Sequence, residues 1–428
     1  MYWFRFFDYN EYKTGELSMT IIKPFRAIRP SQEMAPRIAS LPYDVFSRAE
    51  ARTYVETHPY TFLGIDRPET QFEPTHDMYA NDVYEKAKEM IETYKDKGFF
   101  IQDPDPCFYI YELTMAGRSQ TGIVGLSSID DYLQGICRKH ENTVKEKLAD
   151  RIHHVDITST QTGPIFLAYR KNEPLQALIQ SIKETQPIYD FDKEDGVHHR
   201  VWIVKKTIPI EEAFHKIPYT YIADGHHRCE SAVQVGIKRR KEHPNYTGKE
   251  EFNFFLSVAF CEEELRIFDY NRFVKDLNGL SVDVFMNHLN QFYTISPLSY
   301  SHHPNQKGEV CMYIENQWYD LVEKNPNTTD PVLSLDVSYL QEHVLGPILG
   351  IDDPRTNPRI EFIGGIRGLN TLQEKVNAQD HPCVAFAMYP TRIQELFAVA
   401  DANRLMPPKS TWFEPKLLSG LFLHEIEQ

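Results

Sequence analysis

The chain of 428 residues predicts an α+β fold with mixed sheets. Three observations carry that expectation. Pairs of β-rich apolar runs meet at short turns, as hairpins do. Other apolar runs lead through glycines straight into helical periodicity. The two kinds of unit are interspersed, with no regular strand–helix–strand array and no internal repeat of fixed period.

The elements follow in chain order. Residues 1–18 lack the long apolar core and cleavage site of an export signal; they read as an extension, with Met19 opening the fold. Residues 20–30 read as a strand closed by proline. In LPYDVFSRAEARTYVETHP (41–59), Ser47 stands three residues before Glu50, the capping-box spacing, so a helix is expected over Arg48–Thr57. Across 76–98, Tyr84, Ala87, Ile91 and Tyr94 share one helical face and Gly98 supplies the stop. Residues 107–129 form a hairpin turning at 115–118. Strands are expected at 164–170, 197–206 and 220–223, and helices at 173–185 and 210–217. A second hairpin is expected over 252–270, turning at 262–264, and a third over 310–323, turning at Glu315-Asn316. Helices at 282–292, 335–350, 369–377 and 391–403 alternate with strands at 359–365 and 383–390. KRRKEHPNYTGKEE (238–251), polar and broken by Pro244 and Gly248, is the expected linker. It divides an N-terminal domain, 19–240, from a C-terminal α+β domain, 250–428.

Bulk properties narrow the function. A formal net charge of -15 argues against coating nucleic acid or an anionic membrane. Six cysteines are scattered with no C-x-x-C pair, which fits a reducing cytoplasm. No run of 18 apolar residues is present, so no membrane span is expected. His-His pairs occur at 153–154, 198–199, 226–227 and 302–303, but no H-E-x-x-H or H-x3-H spacing accompanies them, so no metal site is expected. G-x-S-x-G and Walker patterns are absent as well, against an α/β-hydrolase or P-loop enzyme.

The chemistry concentrates in TYIADGHHRCESAVQVG (220–236). A strand ending in Asp-Gly and feeding a helix leaves backbone N–H groups free at the helix N-terminus, where the dipole favours an anion. His226, His227 and Arg228 fall in the first turn. As cations they are disfavoured there, which asks for a negative ligand. Gly225 lets a ligand approach the backbone, and Asp224 can cap the helix, orient His226 or hold a metal on a nucleotide. A capped helix with surface histidines explains the same residues.

Asp-Gly-His-His-Arg, with Ala232 four residues on, resembles the signature turn of the ParB/sulfiredoxin-like superfamily, whose G/D-x-H-R-type turn holds nucleotide phosphates. The likeness extends further. IKPFRAIRP, ASLPYDVFS, RSQTGIVG, KHE-x-T, ADGHHR, DYNRFVKDLNGL, RIEFIGGIRG and MPPKSTWFEPKLLSGLF together resemble the bacterial domain-of-unknown-function 1015 family, from about Lys23 to Phe422. Relatives with the same turn include free-serine kinases, ParB-type switches and sulfiredoxins. The resemblance therefore implies a ParB/sulfiredoxin-like element around the turn and phosphoryl chemistry there. In that reading Glu141, beside His140, is the candidate base, Asp224 is a third catalytic group, and Lys or Arg residues steady the phosphates. One departure stands out: KHENTVKEKLADRIHH (139–154) carries Val144-Lys145 where the family usually has Arg-Pro, which leaves part of the clamp to Lys145 or Lys147. The same stretch also reads as an exposed, salt-bridged helix start.

Two further blocks are candidates for binding. In FIGGIRGLNTLQEKV (362–376), Arg367 lies between Gly365 and Gly368 and can face an anion; a tight turn with a solvated arginine fits equally. In MPPKSTWFEPKLLSG (406–420), Lys409, Ser410 and Thr411 follow two stiffening prolines and precede Trp412 and Phe413, which suits a pocket rim or a packed strap. The expected activity is a cytoplasmic, nucleotide-dependent phosphotransferase acting on a small hydroxyl-bearing metabolite, with free serine suggested by the resemblance. ATP or ADP with Mg2+ is the expected cofactor. A non-catalytic nucleotide-binding regulator and a ParB-like DNA-associated protein are the alternatives, and a homo-oligomer is compatible with the sequence. Arg228→Ala is expected to cost ligand affinity with little change in melting temperature.

Overall fold

The computed structural model describes residues 19–326 and 329–427, and the extension read at 1–18 lies outside the described residues. The fold is α+β and is built on one mixed sheet and one antiparallel sheet. The larger has nine strands. Its path runs Cys137–Arg138, Thr220–Asp224, Ile165–Tyr169, Phe254–Cys261, Arg118–Ser128, Phe108–Met115, His198–Val204 and Tyr189–Asp192, with Ile22–Lys23 pairing beside Arg118–Ser128. The second has six strands, in the order Tyr293–Leu298, Gln317–Glu323, Glu309–Ile314, Val384–Met388, Tyr270–Val274 and Ile360–Gly364. Pairing is antiparallel except between Thr220–Asp224 and Cys137–Arg138 and between Phe254–Cys261 and Ile165–Tyr169.

The larger sheet is covered on both faces, and its sequence shows why. Along Phe108–Met115, Tyr109, Tyr111 and Leu113 point to one core while Phe108 and Ile110 point to the other. Successive side chains of a strand face opposite ways, so a strand buried on both sides reads as an unbroken apolar run. Phe254–Cys261 behaves alike and is buried along its whole length. One face packs under helices such as Glu173–Lys183, Ile208–Phe214 and the start of His226–Glu242; the other shares a core with the second sheet.

Local signals act as the residue chemistry dictates. Ser47 caps Arg48–Thr57 in a reciprocal box with Glu50. The hairpins turn on left-handed pairs: Ala116 and Gly117 in the first, Glu315 and Asn316 in the third.

Three expectations give way to tertiary context. The hairpin over 252–270 does not form. The chain turns at Glu262–Glu264 as expected, but both edges of Phe254–Cys261 are taken by Arg118–Ser128 and Ile165–Tyr169, so the returning chain leaves for other sheets. The expected linker begins as helix: His226–Glu242 runs through KRRKE because its basic residues are anchored, Arg239 on Asp156 at 2.7 Å and Arg240 on both oxygens of Asp130 at 2.7 and 2.8 Å. With Phe254–Cys261 inside the larger sheet, the expected division at 240–250 cuts through a single strand order. The helix over 335–350 is α only at Asp336–Leu340 and continues as a π-turn at Gln341–Leu345, ahead of Pro347, which has no N–H to extend a regular ladder.

The C-terminal segment binds the halves together. Trp412–Phe413 pairs with Ile267–Phe268, Ser419 bridges Ser40, and His424–Glu425 pairs with Thr160–Gln161. The six cysteines are free and buried, and among the described residues no helix is long and apolar enough to cross a membrane.

The helix His226–Glu242 is seated by close approach. A Cβ on Gly236 would lie 2.5 Å from the Phe252 carbonyl oxygen and 2.8 Å from Ile129. Gly236→Ala is therefore expected to lower unfolding free energy by about 1–3 kcal/mol, although alanine is the better helix former. Urea denaturation measures this, and a stability equal to or above wild type would show that the helix does not rest on that carbonyl.

Candidate functional site

The site is assembled at one end of the larger sheet. The register between Thr220–Asp224 and Ile165–Tyr169 shifts between Ile222 and Asp224, an irregularity that re-aims the last residue of the strand. Gly225 follows at φ 89° and ψ 31°, a left-handed conformation in which a side chain is strained, and the helix His226–Glu242 starts at once. Its first intrahelical bond runs from Cys229 N–H to the Gly225 carbonyl at 2.9 Å. No side chain caps this N-terminus. The N–H groups of His226, His227 and Arg228 thus stand at the positive end of a seventeen-residue helix with no intrahelical acceptor.

Asp224, expected as cap, orienter or metal holder, does not cap the helix and lies beside a lysine 192 residues away: Lys416 Nζ is 3.5 Å from its Oδ2. Arg228 Nη2 is 3.9 Å from the same oxygen. Burial alone would raise this carboxyl; Lys416 and then Arg228 outweigh it and hold Asp224 well below the usual carboxylate range.

The histidines are not the cations that the sequence suggested. His226 is buried, with its ring edge-to-face on His140 at 4.6 Å. Burial, then the neighbouring imidazole, pushes His226 well down. Burial pushes His140 down to about 4. His227 accepts the Val144 N–H through Nε2 at 2.9 Å, and burial and then Lys147 lower it too. Positive charge comes from elsewhere: Lys416, 15% exposed at its side chain; Lys409 on a left-handed residue, its ammonium 5.6 Å over the Tyr270 ring; and the exposed Lys147. Glu141, half-buried, sits among them; burial raises its carboxyl above the usual range, Lys409 opposing and Asp224 reinforcing.

Arg228 faces inward. Its guanidinium folds over Gly225, where a Cβ would lie 3.1 Å from Nε and Nη2, and Nη1 donates to the Pro164 carbonyl at 2.8 Å. Behind it, Tyr43, Asp66, Arg151, His154 and Ile165 are among the residues lining a cavity of about 30 Å³, room for a bound water rather than a nucleotide.

Of the other residues singled out in the sequence, Thr411 reaches the site, its hydroxyl 3.4 Å from His140 Nε2, because Met406 N–H donates to the His140 carbonyl at 2.8 Å. Ser410 does not: it is buried and its hydroxyl donates to Pro407. Arg367 is exposed on the turn Gly365–Arg367, its charge acting on Glu50. Asp44, exposed beside Tyr43, acts on His227, Lys409 and Lys416. Tyr270 and the pairing of Lys416 with Asp224 escaped the sequence reading, since no local pattern links positions so far apart.

A family model described as "Protein of unknown function (DUF1015)" matches residues 22–338. No curated protein matches the chain. Among solved structures, a free serine kinase mutant in complex with ADP matches with a TM-score of 0.37 and 12% identity over 72% of this chain and 92% of that one. SbnI with a C-terminal truncation, from Staphylococcus aureus, matches with a TM-score of 0.37 and 12% identity over 69% and 85%. A conserved hypothetical protein from Pyrococcus furiosus matches with a TM-score of 0.34 and 13% identity over 70% and 94%.

The inward placement of Arg228 changes the expected effect of removing it. Arg228→Ala strips the Pro164 carbonyl of a charged donor, which is worth about 1.5–3 kcal/mol. The variant should therefore lose stability on that scale in urea denaturation, rather than melt like wild type. Unaltered stability would mean that the guanidinium is not held by Pro164.

Proposed function

The chain belongs to the DUF1015 family, and from that premise we propose that it binds a nucleotide, ATP or ADP, at the turn Asp224–Arg228 and passes a phosphoryl group to a small hydroxyl-bearing metabolite. Free serine is the first acceptor to try. The observation that carries this reading is an uncapped seventeen-residue helix start, opened by a left-handed glycine and flanked by Lys409, Lys416 and a buried-side carboxylate, Glu141. Open N–H groups and ammonium groups suit phosphate oxygens. The superpositions on solved kinases are too loose to add weight.

The division of labour follows from the charge states. The N–H groups of His226, His227 and Arg228 take phosphate oxygens, with Lys409 and Lys147 supplying charge from the exposed side. A carboxyl raised above its usual range is a stronger base once ionised, so Glu141 is the group to accept the proton of the acceptor hydroxyl. His140, neutral and buried, positions Thr411 and the ring of His226. Asp224 stays ionised and steadies Lys416. For Mg2+, the carboxylates of Asp224 and the exposed Asp44 are the oxygen donors of suitable type, and the ion would screen the phosphate charge.

Two measurements test this. ATP or ADP should raise the melting temperature, and a panel of amino acids, sugars and polyols should reveal transfer to a hydroxyl. Glu141→Gln should then slow transfer by about 10²–10⁴-fold while the nucleotide-induced stabilisation persists. Stabilisation with no transfer to any acceptor would replace the enzyme with a nucleotide-binding regulator, and Glu141→Gln turning over like wild type would remove Glu141 as the base.

A further inference from the structure

Two imidazoles and a carboxylate beside the turn have more donor capacity than the protein uses. Cys137–Arg138 and Thr220–Asp224 are parallel neighbours in the larger sheet, so both chains leave it at the same end. His140 and Glu141 follow the first strand, and His226 follows the second. Parallel pairing thus brings together residues that lie 86 positions apart. One ring nitrogen from each histidine and one carboxylate oxygen of Glu141 all lie within 4.8 Å of one another.

The second observation is independent of that proximity. His140 is 1% exposed and His226 8%. Nε2 of His226 is buried with no hydrogen-bond partner, and Nδ1 of His140 is buried with no hydrogen bond of regular geometry, the Ile222 backbone being the polar group beside that ring. Buried polar atoms are nearly always paired, and an orphaned imidazole nitrogen next to a poorly satisfied one needs an explanation. A shared electron-pair acceptor supplies one.

We propose that His140, Glu141 and His226 hold one divalent transition-metal ion. Two imidazoles and one carboxylate form a donor set that suits Zn2+, Co2+, Mn2+ or Fe2+ and leaves positions open for a further ligand. It is not the all-oxygen set that Mg2+ prefers. Ligands at about 2.0–2.2 Å from a tetrahedral ion lie roughly 3.3–3.6 Å apart, so atoms within 4.8 Å of one another need to close by at most about 1.5 Å, by small rotations of the three side chains. No spacing on a single helix announces such a set, because its members come from two elements. A divalent ion on Glu141 would lower the basicity of its carboxylate, so the loaded site and Glu141 acting as proton acceptor are alternative states. The ion goes beyond the phosphotransferase reading and does not depend on it; it would add positive charge beside the open N–H groups where a phosphate is proposed to dock.

The test uses the full chain stripped with a chelator and titrated with Co2+ or Zn2+ in the absence of nucleotide. Calorimetry should report one ion per chain, the Co2+ form should show visible d–d absorption, and Zn2+ should raise the melting temperature. His226→Ala and Glu141→Gln should each weaken binding by at least about tenfold, whereas His227→Ala, which removes the adjacent imidazole outside the set, should bind like wild type. Circular dichroism of the stripped variants establishes that they are folded; Glu141→Gln, the near-isosteric change, keeps the test informative if His226→Ala is not. Binding well below one ion per chain, unchanged affinity in Glu141→Gln, or equal losses in His226→Ala and His227→Ala would overturn the proposal. Because no nucleotide is present, a failure here leaves the phosphate reading standing, and a failure of ATP to stabilise the protein leaves this one standing.

Discussion

Gly225 holds φ at 89°, and that one left-handed residue joins a strand to a helix with no connecting loop. The rest of the site depends on it. A residue with a Cβ would be strained there and would press on the Arg228 guanidinium, which folds back over the glycine to reach Pro164. Because the turn is so tight, the first N–H groups of the helix emerge at the end of the sheet, with no room for a capping loop. The same tightness drives His226 inward against His140 instead of outward into water.

Electrostatics around the turn are set by burial more than by residue type. Three basic side chains in a row read as three positive charges, yet burial keeps the imidazoles neutral and only Arg228 is a permanent cation among them. The guanidinium is occupied by protein atoms. Of the lysines around the turn, Lys409 and Lys416 arrive from the C-terminal strap, which crosses back to pair with Thr160–Gln161 and to bridge Ser40, while Lys147 comes from the helix Lys145–Thr158. Phosphate recognition, if it runs through this turn, is then shared between one helix terminus and a segment nearly two hundred residues downstream. That arrangement makes the strap part of the site and not only packing.

How much was legible depends on the range of the interaction. Ser47 and Glu50 satisfy one another across three residues, so the capping box could be read directly. The turns at Ala116-Gly117 and Glu315-Asn316 were legible because local backbone conformation decides them. The hairpin expected over 252–270 failed because both edges of Phe254–Cys261 were already satisfied by distant strands, a fact with no local trace. The basic run at 238–242 looked like a solvated connector because Asp130 and Asp156, which anchor it, lie far away in the sequence. At the site, the turn and its neighbours His140 and Glu141 were visible as motifs, while the inward turn of Ser410 and the placing of Arg367 beside Glu50 were not.

By itself the sequence determined most of the longer helices and strands, the turns of the hairpins at 115–118 and 315–316, and the α+β character, since each rests on steric and hydrogen-bonding preferences within a few residues. It also put Asp-Gly-His-His-Arg at a strand-to-helix junction. Only the tertiary structure decided which strands share a sheet, that Lys416 claims Asp224, and that His140 meets His226 with Nε2 of His226 unpaired. Those outcomes turn on burial and on contacts between remote segments, and local preference carries no record of either.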